Sequence, residues 1–533
     1  MPTGHRRSTR AVLSNGGLLL ASVALSLCLA ELGVRTFEAF EVRSEHGSLH
    51  AELLEAARAA GVAADGYNVY YLGGSTMLGV PYAPRMSLPQ IVEQVLGGRV
   101  AGRALHSVNL GRSGRDLLYA LQRLEHVLSH RNVFHPSLIV LYSGHNEFLD
   151  FGFKPPPYAF LEPAWYSISR RSHLFRLLRI RFAAPYRLEI DERRRLDVAP
   201  FSPETREEVI RAYRARLARV VARAQEAGLP LIISTAASNL ADWAPNRSVL
   251  CEGVDAERFV ALLDSASTAE AAGDEIGAIE RAREARALCP HFAELEYRLG
   301  RALERQGDRA GAAEAYWRAV DADAFPIRAG TDINQAIRAL ADEPGVRVID
   351  AVAVLGSLSQ RAAPGYELFI DAHHPRVQGY LSIGRAIAAA MLDLAGEPDR
   401  VLARLEPAKA EVLFGLDDPY FRIEQSLNTG RWYVRLATMR YEPAERLDLA
   451  ERWYESAHSL APERVDVHLG LAMVAYLRHD TPAAEAHRRD AEAADPEAAR
   501  RYLAQRWVRD VVRRGGGVPP IRSGDEGDRH VRR

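Results

Sequence analysis

The stretch YYLGGSTMLG, Tyr70–Gly79, decides how this chain is read. An apolar run from Val69 to Leu72 stops at Gly73-Gly74, and a serine comes next. A buried strand that ends in a glycine turn presents its next side chain at the carboxyl edge of a sheet. Ligands and chemistry collect at that edge in open α/β folds. Taken alone, Gly-Gly-Ser-Thr is more often a plain loop, so its weight depends on whether the rest of a site stands downstream.

Similar units recur along the chain. Ser107–Leu110 is a short apolar strand running into Gly111-Arg112-Ser113-Gly114, and Leu138–Tyr142 (LIVLY) is closed by Ser143-Gly144. Leu229–Ser234 and Val346–Val354 read as two further strands. Helical segments lie between them. Leu117, Leu121, Leu124 and Leu128 recur at helical spacing, and Pro203–Ala227 is rich in Arg and Ala. Alternating strands and helices predict an α/β fold, a three-layer α/β/α sandwich whose parallel sheet is covered on both faces.

Two long segments interrupt this alternation. Phe148–Pro200 carries Pro155–Pro157 and the aromatics Phe151, Phe153, Tyr158, Phe160, Trp165 and Tyr166. So long a loop is unusual unless functional, and a lid, a substrate wall or a membrane-facing patch is expected there. The second interruption, 248–326, is repetitive. Gly273-Asp274 recurs 34 positions later as Gly307-Asp308, and Ala278, Ala282 and Ala285 recur as Ala312, Tyr316 and Ala319. The pattern returns within 398–513, where Tyr454, Ala457 and Pro462 are succeeded by Leu471, Ala484, Ala491 and Pro496. This period and register resemble the tetratricopeptide repeat, a helix–turn–helix unit whose arrays hold protein partners. The alternative is ordinary helical hairpins in an Ala-rich chain. Residues 514–533, Gly-rich and then charged, read as a disordered tail.

At 533 residues the chain has room for about three domains, and a net charge of −1 predicts no nucleic-acid footprint. His5, Arg6, Arg7 and Arg10 precede a charge-free apolar segment, Ala11–Ala30. That length suits a membrane-spanning signal-anchor over residues 1–36, with a helical connector over 37–66. The basic flank would stay cytoplasmic, leaving the rest of a single-pass inner-membrane protein outside, in the periplasm of a two-membrane cell. A cleaved signal peptide is the competing reading. Of the three cysteines, Cys28 falls in the anchor; Cys251 and Cys289 suit either a disulfide or two buried thiols.

The serine at position 75 acquires company near the end of the α/β region. Asp371-Ala372-His373-His374-Pro375 supplies an acid and an imidazole three residues apart. On one tight turn Asp371 accepts from Nδ1–H of His374, and Nε2 then faces the serine as a general base. Gly114, with its bare backbone N–H, and Asn146, with its amide, sit at other strand ends, where with the Ser75 N–H they would surround an oxyanion.

Here the sequence resembles the SGNH or GDSL hydrolases. Four blocks stand in the family's order: Gly73-Gly74-Ser75 with Gly79, Asn109–Gly114, Gly144-His145-Asn146-Glu147, and Asp371–Pro375. The resemblance implies a flavodoxin-like hydrolase domain in two parts, 67–247 and 327–397, around the inserted repeats. It implies Ser75 as nucleophile, His374 as base, Asp371 as its orienting acid, and Ser75, Gly114 and Asn146 as oxyanion donors. One position departs: Gly74 stands where the family often has Asp. No G-x-S-x-G elbow surrounds Ser75, which argues against an α/β-hydrolase. His373 and His145 read as neighbours of the site, and Glu147 as a helix-start carboxylate. No Cys/His spacing predicts a metal, and no cofactor is expected.

The expectation is a membrane-anchored extracytoplasmic serine esterase working through an acyl-enzyme on a small-molecule or envelope-glycan ester. With a sugar hydroxyl in place of water it would be an acyltransferase. The alternative is a membrane-tethered repeat scaffold with an inert hydrolase domain.

Overall fold

In a computed structural model of the chain, the described residues are 49–149, 203–438 and 443–514, with Ser26, Glu31 and Ser172. The chain divides into two compact units, one of residues 1–55 and 153–186, the other of 56–152 and 187–533. The sheet, the repeats and the candidate site all belong to the second. Among the described residues no helix is long and apolar enough to cross a membrane. The segment Ala11–Ala30, most of the aromatic insertion and the tail from residue 515 lie outside the described residues.

The described strands form one six-stranded sheet: β1 (Tyr67–Gly73), β2 (Arg99–Val100), β3 (Arg103–Asn109), β4 (Leu138–Tyr142), β5 (Leu231–Ser234) and β6 (Val346–Ile349). Their order is β2-β3-β1-β4-β5-β6, and only β2 runs antiparallel to its neighbour. All of β1 and β4 is buried, as a central strand covered on both faces must be. The chain steps from β1 to β3 on one side and then to β4 on the other. Strand order therefore reverses at β1, and an open α/β sheet has its crevice at such a reversal.

The helices of the sheet domain fall into two packing sets. Besides the single turn Arg131–Phe134, they are α1 (Ser75–Leu78), α2 (Leu88–Leu96), α3 (Leu117–Ser129), α4 (Pro203–Glu226), α5 (Thr331–Arg338), α6 (Ala351–Leu358) and α7 (Val377–Leu394). α7 packs on α2 and α6, while α4 packs on α3 and α5. Two local differences from expectation have simple causes. β3 starts at Arg103, not Ser107, because a hairpin through Ala101 and Gly102, both at positive φ (48° and 72°), turns the chain back along it. The apolar run 346–354 is half strand and half helix, since the Asp350 side chain accepts from Ala353 N–H and caps α6.

The repeats are helical hairpins. In the insertion, helices Ala256–Ala271 and Glu275–Leu288 form one pair and Ala293–Arg305 and Arg309–Ala322 another. Each repeated Gly-Asp dipeptide makes a turn. Gly273 and Gly307 take positive φ, and Asp274 and Asp308 accept from Gly277 and Gly311 N–H, both at 2.9 Å. The C-terminal pair uses His479-Asp480 in the same way, with His479 at φ 62° and Asp480 capping Thr481–Ala494. Helix crossings are closed by a glycine under a tyrosine ring: Gly300 under Tyr316, and Gly430 and Gly470 on Tyr454. At the neck of the insertion, the buried Asp323 carboxylate accepts from Asn246, Arg247 and Phe325 N–H, so the chain leaves and returns at one point. Cys251 and Cys289 form a disulfide, not two buried thiols.

Candidate active site

The site begins with the turn after β1. A Cβ on Gly73 would lie 2.1 Å from the Tyr142 carbonyl oxygen, so only glycine lets β1 end this close to β4. Ser75 then opens α1 and is buried, with 6% of its surface exposed. Three neighbours hold the turn. Asn109 Nδ2 donates to Met77 O at 3.2 Å, Arg112 N–H to Gly73 O at 3.1 Å, and Tyr380 Oη–H to Val80 O at 2.7 Å.

The second component is the loop before α7. Phe369 and Pro375 are bridged, Ile370 N–H donates to His374 O at 2.8 Å, and the residues between are folded into a tight turn. Asp371 Oδ1 accepts the backbone N–H groups of His373 (3.0 Å) and His374 (2.9 Å), an Asx-type turn that aims the loop. Oδ2 accepts from His374 Nδ1 at 2.6 Å. On the far side of the imidazole, Nε2 lies 2.7 Å from Ser75 Oγ, across 299 residues of sequence. The structure thus brings Ser75, His374 and Asp371 into one hydrogen-bonded chain. Burial pushes the Asp371 carboxyl up, but the charge of His374 and its hydrogen bond outweigh this and hold it well below the usual carboxylate range.

Asn146 borders the serine turn. Its Nδ2 donates one proton to Arg115 O at 2.9 Å, and a Cβ on Gly74 would meet the same nitrogen at 2.9 Å. A side chain at position 74 would crowd this amide, which accounts for glycine there. Gly114 lies one residue before Arg115, on an exposed turn at φ 71° with open space around it. The carbonyl of the next residue, Arg115, is the one that Asn146 holds, which ties this turn to the site.

His145 and His373 are buried spacers. Their rings stack at 4.4 Å, and His373 lies 4.2 Å from His374. Ala329 N–H donates to His145 Nδ1 at 3.1 Å, which leaves the proton on Nε2 and the ring neutral. Burial, then the charge of His374, push His145 down to about 3, and burial holds His373 well below the ordinary imidazole range. Glu147 Oε1 accepts from Leu117 N–H at 3.0 Å, so it serves the first turn of α3. Burial, reinforced by Asp116, pushes its carboxyl up to about 8.

Sequence reasoning missed three supports. Asn239 N–H donates to Ala372 O at 2.9 Å and its Nδ2 to Asp371 O at 3.2 Å. Tyr380 holds the serine turn from α7. Trp432, in the C-terminal helix Pro419–Ala437, donates its Nε1–H to Asp371 Oδ2 at 2.9 Å. Nothing local marks these residues, since a core Asn, Tyr or Trp has the same spacing. In the C-terminal repeats, His468, His487 and Asp490 each put a ligand atom within 4.8 Å of the others. Asp490 is exposed, and an exposed acidic group beside histidines is common without a metal.

No protein-family model and no curated protein matches the chain. Among solved structures, it is similar to a GDSL-like lipase from Bacteroides thetaiotaomicron at 10% identity and a TM-score of 0.31, covering 65% of this chain and 98% of that one. It is also similar to the Cut9–Hcn1 tetramer of the APC/C, at 13% identity and TM-score 0.14, over 49% of this chain and 43% of that one. A third likeness is to Naa15/Naa10 bound to HypK-THB, at 14% identity and TM-score 0.17, over 75% and 67%. At such scores the chemistry rests on this chain's own geometry.

Proposed function

We propose that the chain is an SGNH-type serine hydrolase acting on ester bonds, anchored in the membrane with its catalytic domain extracytoplasmic. The observation that carries this reading is the Ser75 Oγ···His374 Nε2 separation of 2.7 Å, with Asp371 on the other imidazole nitrogen. Ser75 Oγ attacks the ester carbonyl while His374 Nε2 takes its proton. Asp371 keeps the imidazole oriented and stabilises the imidazolium. The oxyanion forms beside the backbone N–H groups of Ser75 and Gly114 and the second amide proton of Asn146. His374 returns its proton to the departing alcohol, leaving an acyl-enzyme. Water, or a sugar hydroxyl in an acyltransferase, then gives its proton to His374 and releases the acyl group.

An envelope glycan ester is the substrate class proposed, and a protein partner is proposed for the helical repeats. The basic residues before Ala11–Ala30 and the Cys251–Cys289 disulfide support a location outside the cytoplasm. The inert-scaffold reading is disfavoured, since a dead site has no need of a closed serine–histidine hydrogen bond.

The test is labelling by a fluorophosphonate together with hydrolysis of p-nitrophenyl acetate. Ser75→Ala should abolish labelling, and Ser75→Ala and His374→Ala should each lower kcat by at least about 10³-fold. Equal labelling of wild type and Ser75→Ala would remove the nucleophile assignment.

A further inference from the structure

The C-terminal repeats reach into the candidate active site. The Asp371 carboxylate accepts four hydrogen bonds; three come from His373 and His374, in its own loop, and the fourth from the Trp432 indole, 61 residues away. The neighbouring Tyr433 donates its hydroxyl to Ile370 O, and Ala372 shares one hydrophobic cluster with Leu427, Tyr433 and Leu436. The loop that carries Asp371 and His374 is therefore clamped from two sides, by Asn239 and by the first C-terminal repeat helix.

Oδ1 is held by two backbone N–H groups, whereas Oδ2, the oxygen that meets the imidazole, has Trp432 as its donor besides His374 Nδ1. Trp432 and His374 Nδ1 share Oδ2, so the indole offsets part of the negative charge at that oxygen. It also fixes the plane in which Asp371 meets the imidazole. Resting on the esterase reading, we propose that Trp432 is a positioning residue of the catalytic triad. The C-terminal helical array is then a structural part of the active site as well as the surface proposed for a partner.

The experiment uses the full chain and p-nitrophenyl acetate. Trp432→Phe removes the N–H and keeps a ring; benzothienylalanine at position 432 keeps the bicyclic shape and lacks the N–H. Both should lower kcat about 10-fold with KM within about twofold, because alignment is lost while substrate binding is not. The low-field proton resonance of His374 Nδ1–H should move in both. Trp453→Phe, packed against the same cluster and with no hydrogen bond to Asp371 among the described residues, is the control and should change neither. Wild-type kcat and an unmoved resonance in the benzothienylalanine protein would overturn the proposal. Turnover that survives Ser75→Ala would instead overturn the esterase reading, and the resonance would still test Trp432.

Discussion

At the scale of single residues, burial decides where charge is allowed in the site. Three histidine rings lie side by side, His145 stacked on His373 and His373 tilted against His374, yet of the three it is His374 that has a carboxylate on its Nδ1. His145 and His373 are held neutral by burial, so they pack beside the triad without adding a competing cation. Glu147 shows the reverse case, a buried carboxyl held protonated up to about pH 8. Its ordinary value is about 4.3, so between these two values the folded state binds a proton that the unfolded state lacks. Stability from this group therefore falls as pH rises through that window and levels off above it. His145 contributes the opposite slope, but only below its ordinary value of about 6.5. Glu147→Gln should accordingly unfold at a higher temperature than wild type at about pH 8.5, and the gap should narrow towards about pH 5. Calorimetry across that range measures it; a gap that does not vary with pH would remove the assignment.

At the scale of elements, the repeats are held by small residues under large rings. A Cβ on Gly470 would lie 2.2 Å from Tyr454, and Tyr454 is fully buried between helices, so neither side can yield. Gly470→Ala should destabilise the C-terminal repeats by about 1–3 kcal/mol, read from chemical denaturation. Gly98→Ala, where a Cβ would meet nothing within 4 Å, has no such clash and serves as a contrast, with only backbone strain at φ 68° to cost it. The same reasoning explains why the Gly-Asp dipeptides stand out in the sequence. Each is a local signal, a left-handed residue next to a side-chain cap, and each is needed once per hairpin. His479-Asp480 does the same job without glycine, so its local signature is weaker and its role emerges only from the fold.

At the scale of the whole molecule, the insertion is a hairpin array hung from a neck. Asp323 staples its two ends, and Arg361 bridges Asp242 at 2.6 Å and Glu304 at 2.8 Å across the base. The disulfide lies within the array and closes a sequence separation of 38 residues. Reducing it, or Cys289→Ser, should cost that array about 2–4 kcal/mol. Neither the sheet nor the Ser75–His374 contact includes either cysteine. Under a reductant, limited proteolysis should cut first within residues 251–289, while fluorophosphonate labelling of Ser75 persists. Loss of labelling at the same reductant concentration would mean that the insertion and the site unfold together.

What the sequence determined by itself was whatever depends on neighbours in the chain. Apolar runs ending in Gly or Ser marked the central strands, period 34 marked the repeats, and Asp371-x-x-His374 marked one tight turn. Where local signals were mixed they misled, as at 346–354, where one apolar run covers a strand end and a capped helix. The strand order, the meeting of Ser75 with His374 and the Cys251–Cys289 bond were decided by tertiary structure. So was the indole on Asp371. Each of these depends on which strand ends the crossovers place side by side, and no local periodicity encodes that. Trp432 is the sharpest instance: among apolar residues at helical spacing it reads as core, and only the packing of a distant helix turns its N–H towards a carboxylate.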